Sequence, residues 1–214
     1  MPSNLSRTPV SRPRILFAVA CLVLSGVILG AVYLNLHAAG APQPQASSAG
    51  KGLIGGPFQL VDQNGRAVDQ RLLKGKWTAV FFGYTFCPDV CPTNLQTLAA
   101  AEDKLGAKAK DLQVVFVSID PQRDTPQQLK AYLSSKDFPA GTIGLTGTPA
   151  QVDQAAKVYR VYYAKHGGGS DYTMDHSDVT YLMNPAGDYA TVLAYGMTPE
   201  QEADQIRSAM AKGG

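Results

Sequence analysis

The chain has 214 residues, 45% of them apolar and 17% charged, with a formal net charge of +2. That is the length and composition of one globular domain plus an attachment. Arg7, Arg12 and Arg14 precede every acidic residue and supply more than the whole positive excess, so no basic surface for nucleic acid is indicated in the remainder.

Those arginines stand directly before an uncharged apolar run, residues 15–36. A cleaved export leader carries about 7–15 apolar residues and a spanning helix about 20. Length therefore points to residues 1–14 as a cytoplasmic N-terminus and 15–36 as a single transmembrane anchor. The small residues Ala39-Gly40-Ala41 resemble a cleavage site and keep the leader as the alternative. Either way the arginines stay cytoplasmic and the rest is exported. So short a leading segment leaves little room for a mitochondrial transit peptide, and the expectation is a bacterial inner membrane, single-pass, with the domain facing the periplasm. Residues 37–52, rich in Ala, Gly, Pro, Gln and Ser, have linker composition.

The folded domain is expected over 53–214. Apolar segments 58–61 and 66–68 flank Asp62-Gln63-Asn64-Gly65, and Asn-Gly in that setting marks a β-hairpin. Residues 77–84 form a nearly continuous apolar run, the pattern of a strand buried on both faces. It leads straight into Cys87 and Cys91. Pro92 suits a first helical turn, and Leu95, Leu98, Ala99, Glu102 and Leu105 keep helical spacing up to Gly106. Residues 112–119 read as a second buried strand, and Asp124-Thr125-Pro126 caps a helix through Leu129, Tyr132 and Leu133. A third helix runs from Pro149 to Tyr159, then 161–163 is a short strand or extended segment and 165–170 a glycine-rich loop. Two strands at 179–183 and 189–194 are joined by the turn Asn184-Pro185-Ala186-Gly187, and a last helix starts at Thr198-Pro199-Glu200. The order gives an α/β fold, a thioredoxin-like domain with an N-terminal β-hairpin addition, preceded by one transmembrane helix.

Cys21 lies in the membrane run, where a small apolar residue needs no explanation. Cys87 and Cys91 remain, and in an exported domain such a pair is by default a structural disulfide. Their place argues for more. A helix N-terminus offers free N–H groups and partial positive charge, which favour thiolate over thiol. At i and i+4 of a helical turn the Cα atoms stand about 6 Å apart, which permits either a disulfide or a shared metal ion. Three residues intervene, where thioredoxin-type redox motifs have two.

The histidines are His37, His166 and His176. His37 lies at the membrane edge, and His166 precedes three glycines as a solvated side chain. His176 comes just before a buried strand, where an α/β sheet gathers its loops into a crevice. Position alone leaves its role as a ligand open. Two thiolates with one imidazole would be a soft set suited to Cu(I), extendable by water or a carboxylate for Cu(II). Structural zinc generally takes four ligands, and the separation of His166 from His176 is outside the usual finger spacing.

The segment Phe82-Gly83-Tyr84-Thr85-Phe86-Cys87-Pro88-Asp89-Val90-Cys91-Pro92-Thr93 closely resembles the cysteine motif of the Sco/SenC family. Residues 118–126, containing Asp120-Pro121-Gln122-Arg123-Asp124, and residues 175–183, containing Asp175-His176-Ser177-Asp178, resemble two further family segments in family order. The resemblance covers about residues 53 to 211. It implies a thioredoxin-like fold and copper, Cu(I) or Cu(II), bound by Cys87, Cys91 and His176. It also implies a role in assembling the binuclear copper site of cytochrome c oxidase subunit II, by delivering copper, by reducing its cysteines, or both. Other periplasmic copper carriers and thiol reductants are further expected partners.

Two functions stay open on this reading. A metallochaperone holds copper and passes it on by ligand exchange, with no turnover required. A thiol-disulfide oxidoreductase needs only the redox-active pair Cys87 and Cys91. Around the site, Asp89 is explained by the helix dipole, Asp120, Arg123 and Asp124 by a local cap and ion pair, and Met174 by packing, while Tyr84 and Phe86 are expected to shield the metal from water.

Overall fold

The computed structural model describes residues 54–213. The expected cytoplasmic segment, transmembrane anchor and linker, 1–14, 15–36 and 37–52, lie outside the described residues. Among those described, no helix is long and apolar enough to cross a membrane.

The hairpin marked by Asn-Gly is present as β1 (Gln59–Asp62) and β2 (Ala67–Asp69), paired antiparallel. Gly65 takes a positive φ of 80°, and the Asp62 carboxylate accepts the N–H groups of Asn64 and Arg66. The centre of the domain is β3 (Trp77–Gly83), buried at every residue, which is why its sequence is continuously apolar instead of alternating. It runs parallel to β4 (Leu112–Ser118), which runs parallel to β5 (Ile143–Thr146). On the other side β8 (Val179–Met183) is antiparallel to β3, and β9 (Tyr189–Ala194) antiparallel to β8. The seven strands are ordered β2-β1-β5-β4-β3-β8-β9. Strand β5 has no clear signal in the sequence because it has only four residues. One of them is Gly144, where a Cβ would stand 2.6 Å from the Leu133 side chain.

Four helices cover the sheet: α1 (Val90–Leu105), α2 (Pro126–Tyr132), α3 (Pro149–Tyr159) and α4 (Pro199–Lys212). The last three share one start signal, a threonine N-cap followed by proline, at Thr125, Thr148 and Thr198. Helices α1 and α4 pack together. Phe81 of β3 meets Phe116 and, through it, Tyr132 of α2, while its neighbour Phe82 points the opposite way onto Tyr159 of α3. The core is thus divided by the sheet, as expected of a thioredoxin-like α/β domain.

A separate two-stranded ribbon pairs β6 (Tyr163–His166) with β7 (Thr173–His176). It corrects the expectation for this region. Lys165 and His166, placed in a loop by the sequence, end a strand, and His176 closes a strand instead of sitting in a loop ahead of β8. These strands are only four residues long, too short for a periodic pattern to stand out in the sequence, although β7 does alternate between exposed and half-buried side chains.

Candidate metal centre

Strand β3 delivers the chain to the N-terminus of α1 through Gly83, whose missing side chain is required. A Cβ there would lie 2.8 Å from the Cys91 sulfur and 3.0 Å from the rings of Phe116 and Phe81. The intervening loop is tied down by Asp124. Its buried carboxylate accepts the Thr85 N–H at 3.1 Å, the Thr85 hydroxyl at 2.7 Å and the Ser118 hydroxyl at 2.7 Å. Burial raises the Asp124 pKa against the opposing pull of those bonds.

Asp89 occupies the N-cap of α1, but its side chain caps no backbone group and takes the Thr93 hydroxyl at 3.3 Å instead. The sulfur of Cys87 does the capping: it accepts the Cys91 N–H at 3.4 Å. Both cysteines are free thiols, Cys91 fully buried and Cys87 half-buried. His176 enters from β7 with its side chain only 4% exposed, and its Nε2 stands 3.5 Å from the Cys91 sulfur. Its Nδ1 faces the Ser177 carbonyl at 3.1 Å and an Asp178 carboxylate oxygen at 3.4 Å. Because these groups only accept, Nδ1 keeps its proton in either charge state: the imidazolium donates from Nε2 to the sulfurs, and the neutral ring offers the Nε2 lone pair to a metal ion. Phe81 and Tyr84 hold the ring by edge contacts.

The two thiols ionise in opposite senses. Hydrogen bonding from Cys91, joined by His176, pulls the Cys87 pKa down to about 4 in spite of burial. Cys91 donates to that thiolate and is buried, so its pKa is pushed well above the ordinary thiol range. Burial opposes charging of His176, but the bonds to Cys87 and the Ser177 carbonyl and the Asp178 charge outweigh it and raise its pKa. The ligating atoms of Cys87, Cys91 and His176 all lie within 4.8 Å of one another. Ligands at about 2.0–2.3 Å from a metal ion can stand at most about 4.6 Å apart, so the trio is close to a ligating arrangement. A cavity of about 430 Å³, lined by Tyr84, Cys87, Asp89, Met174, His176 and Asp178, opens onto it.

The structure brings together the three residues singled out in the sequence and separates His166, which pairs with Asp175 at 2.8 Å, both side chains exposed. Met174 packs against the core, as expected. Tyr84 is buried beside His176, but Phe86 is 52% exposed and lies under the Arg123 guanidinium, 4.7 Å from its ring centroid, so it is no full shield. Asp120 and Arg123 form the expected ion pair at 2.5 Å. Sequence reasoning missed their third partner, Tyr172. Its hydroxyl donates to Asp120 at 2.6 Å, its carbonyl accepts from Arg123 at 3.0 Å, and its ring lies 3.6 Å below the guanidinium. No local pattern links residues so far apart in sequence.

Comparison with known proteins agrees with this geometry. The SCO1/SenC family model matches residues 46–211. The mitochondrial protein SCO1 homolog 1 of Arabidopsis thaliana is 49% identical over 143 residues, covering 66% of this chain and 42% of that protein, so this chain spans less than half of that relative's length. Protein SenC of Rhodobacter capsulatus is 39% identical over 202 residues, 92% of this chain and 89% of that protein. The structure of Bradyrhizobium japonicum ScoI with copper bound aligns with a TM-score of 0.66 at 44% identity, over 73% of this chain and 99% of that one. The chain belongs to the SCO1/SenC family.

Proposed function

We propose that Cys87, Cys91 and His176 bind copper and that the chain is a metallochaperone for the binuclear copper site of cytochrome c oxidase subunit II. The observation that carries this reading is the convergence of two sulfurs and an Nε2 lone pair within 4.8 Å, with Cys87 already favoured as thiolate. Soft thiolates with one imidazole suit Cu(I), and the cavity leaves room for a further oxygen ligand on Cu(II). The similar ScoI structure holds copper. The apolar run at 15–36 behind Arg7, Arg12 and Arg14 supports a single-pass inner-membrane anchor with the domain in the periplasm. Metal analysis of the full chain in detergent, reduced and loaded anaerobically, tests the site: one copper per chain is expected, and none in Cys87→Ser/Cys91→Ser. Protease added to spheroplasts tests the topology, with cleavage of the domain expected and full protection overturning it.

The unequal ionisation of the thiols favours a second reading, reduction of the acceptor's cysteines. The Cys87 thiolate attacks the partner disulfide and one partner sulfur leaves as thiolate. Cys91 then gives up its proton and attacks Cys87, forming the Cys87–Cys91 disulfide and releasing the partner as a dithiol. Trapping a mixed disulfide with Cys91→Ser would establish this reading, and its absence under conditions where copper transfer proceeds would remove it.

A further inference from the structure

The copper site as read above joins two separate pieces of structure: the cysteines at the start of α1 and His176 on the β6–β7 ribbon. The ribbon does not belong to the main sheet, and beyond its short link from His176 to β8 and the Tyr163 hydroxyl bond to Asp153 of α3 it is held from the side of the cysteines. One short segment, residues 120–124, grips both pieces. At its far end, Asp124 fixes the cysteine loop through the backbone and hydroxyl of Thr85. At its near end, Asp120 accepts the hydroxyl of Tyr172, the residue directly before β7. Between them, the Arg123 guanidinium is shared. It pairs with Asp120, donates to the Tyr172 carbonyl, and lies between the ring of Tyr172 at 3.6 Å and the ring of Phe86, the neighbour of Cys87, at 4.7 Å. Asp120 is 3% exposed, so its pairing is made away from water, where it is strong and costly to break.

We propose that Asp120, Arg123 and Tyr172 are positioning residues that set the distance between the thiolate pair and the His176 imidazole. Neither Arg123 nor Tyr172 provides any of the three converging donor atoms. Arg123 acts as a rivet through the charge and planar fork of its guanidinium, which lysine does not reproduce. Releasing it frees the ribbon that carries His176, while Asp124 and the start of α1 keep Cys87 and Cys91 in place.

The proposal rests on the copper reading but is tested apart from it, in the full chain. In the metal-free protein, hydrogen exchange of residues 163–176 is compared for wild type, Arg123→Gln and Tyr172→Phe, with far-ultraviolet circular dichroism and exchange of β3 and β4 as folding controls. Tyr172→Phe loses one hydroxyl and keeps its ring, so it remains informative if Arg123→Gln fails to fold. Faster exchange confined to the ribbon is expected in both. In the copper-loaded protein, Arg123→Gln should weaken Cu(II) about 10–100-fold, the range for groups that hold a metal ligand. Adding His176→Ala to Arg123→Gln should then cost much less than His176→Ala alone. Unchanged ribbon exchange in folded variants, or fully additive effects of Arg123→Gln and His176→Ala, would overturn the proposal. If His176→Ala leaves copper affinity unchanged in the wild-type background, the copper reading fails instead, and ribbon exchange alone decides the role of the clamp.

Discussion

Gly83 and Cys91 touch across the junction between β3 and α1, where a Cβ on residue 83 would stand 2.8 Å from the Cys91 sulfur. That sulfur belongs to a fully buried side chain on the first turn of α1, and the same Cβ would stand 3.0 Å from the rings of Phe81 and Phe116, so it has no free direction. Gly83→Ala should therefore displace the thiol from His176 and cost about 1–3 kcal/mol, as overpacking of a core does. Denaturant unfolding with metal analysis checks both effects. Wild-type stability together with wild-type copper content would show that the junction relaxes without loss.

Cys87 ionises near pH 4 because Cys91 and His176 hydrogen-bond its sulfur. Its alkylation by iodoacetamide in the reduced, metal-free chain should be flat with pH above about 5, whereas an ordinary thiol of pKa about 8.5 gains tenfold per unit up to that value. Cys91, shifted upward, should stay unlabelled throughout. His176→Ala removes one donor, so the Cys87 inflection should move to higher pH. Mass spectrometry over a pH series reads all three outcomes. A wild-type rate still climbing tenfold per unit at pH 8 would contradict the thiolate assignment.

Replacing His176 by Ala should weaken copper by at least about 10–100-fold, since even groups behind a ligand cost that much. Cu(II) should suffer more than Cu(I), because two thiolates alone can satisfy Cu(I) while Cu(II) prefers more ligands, including nitrogen or oxygen. The dithiol and its oxidation should survive, as Cys87 and Cys91 lie on a different element. Competition titrations in both oxidation states, with circular dichroism as control, give the answer. Equal affinity for both ions in a folded variant would take His176 out of the site and favour the reductase reading.

Glu202, 1% exposed on α4, has one carboxylate oxygen without a partner, and burial pushes its pKa from 4.5 up to about 7. The unfolded chain ionises this group near 4.5, whereas the native chain keeps it protonated until about 7. Its contribution to stability is therefore whole below pH 4.5 and is lost as pH rises through 7. Glu202→Gln abolishes the titration, so the variant should gain on wild type between those pH values and hold its advantage above them. Thermal unfolding over a pH series measures the difference. A gap independent of pH would show that Glu202 keeps an ordinary pKa in the native state.

Much of this molecule is legible in its sequence because the signals are local. The continuous apolar run of β3, the Thr-Pro starts of three helices and the Asn-Gly turn each report backbone constraints within a few residues. The cysteine pair is legible for the same reason, since strand end and helix start adjoin it. His176 keeps an open role on local sequence alone, because its approach to Cys91 spans 85 positions and depends on how the ribbon is held. Tyr172 left no trace, since its partners Asp120 and Arg123 already explain one another as a local pair. Phe86 departs from the role of a shield because a large aromatic beside the half-buried Cys87 gives no hint that an arginine from another segment will occupy its face.

The β6–β7 ribbon owes its register to pairs running from Tyr163 with His176 to His166 with Thr173, while Gly168 and Gly169 at its tip have open space around them. Chain added between those two glycines leaves every one of the pairs that place His176 untouched. The tip, at the end of the ribbon away from His176, is therefore the place to graft a fluorophore or an affinity epitope that leaves both the metal ligand and the seven-stranded sheet undisturbed.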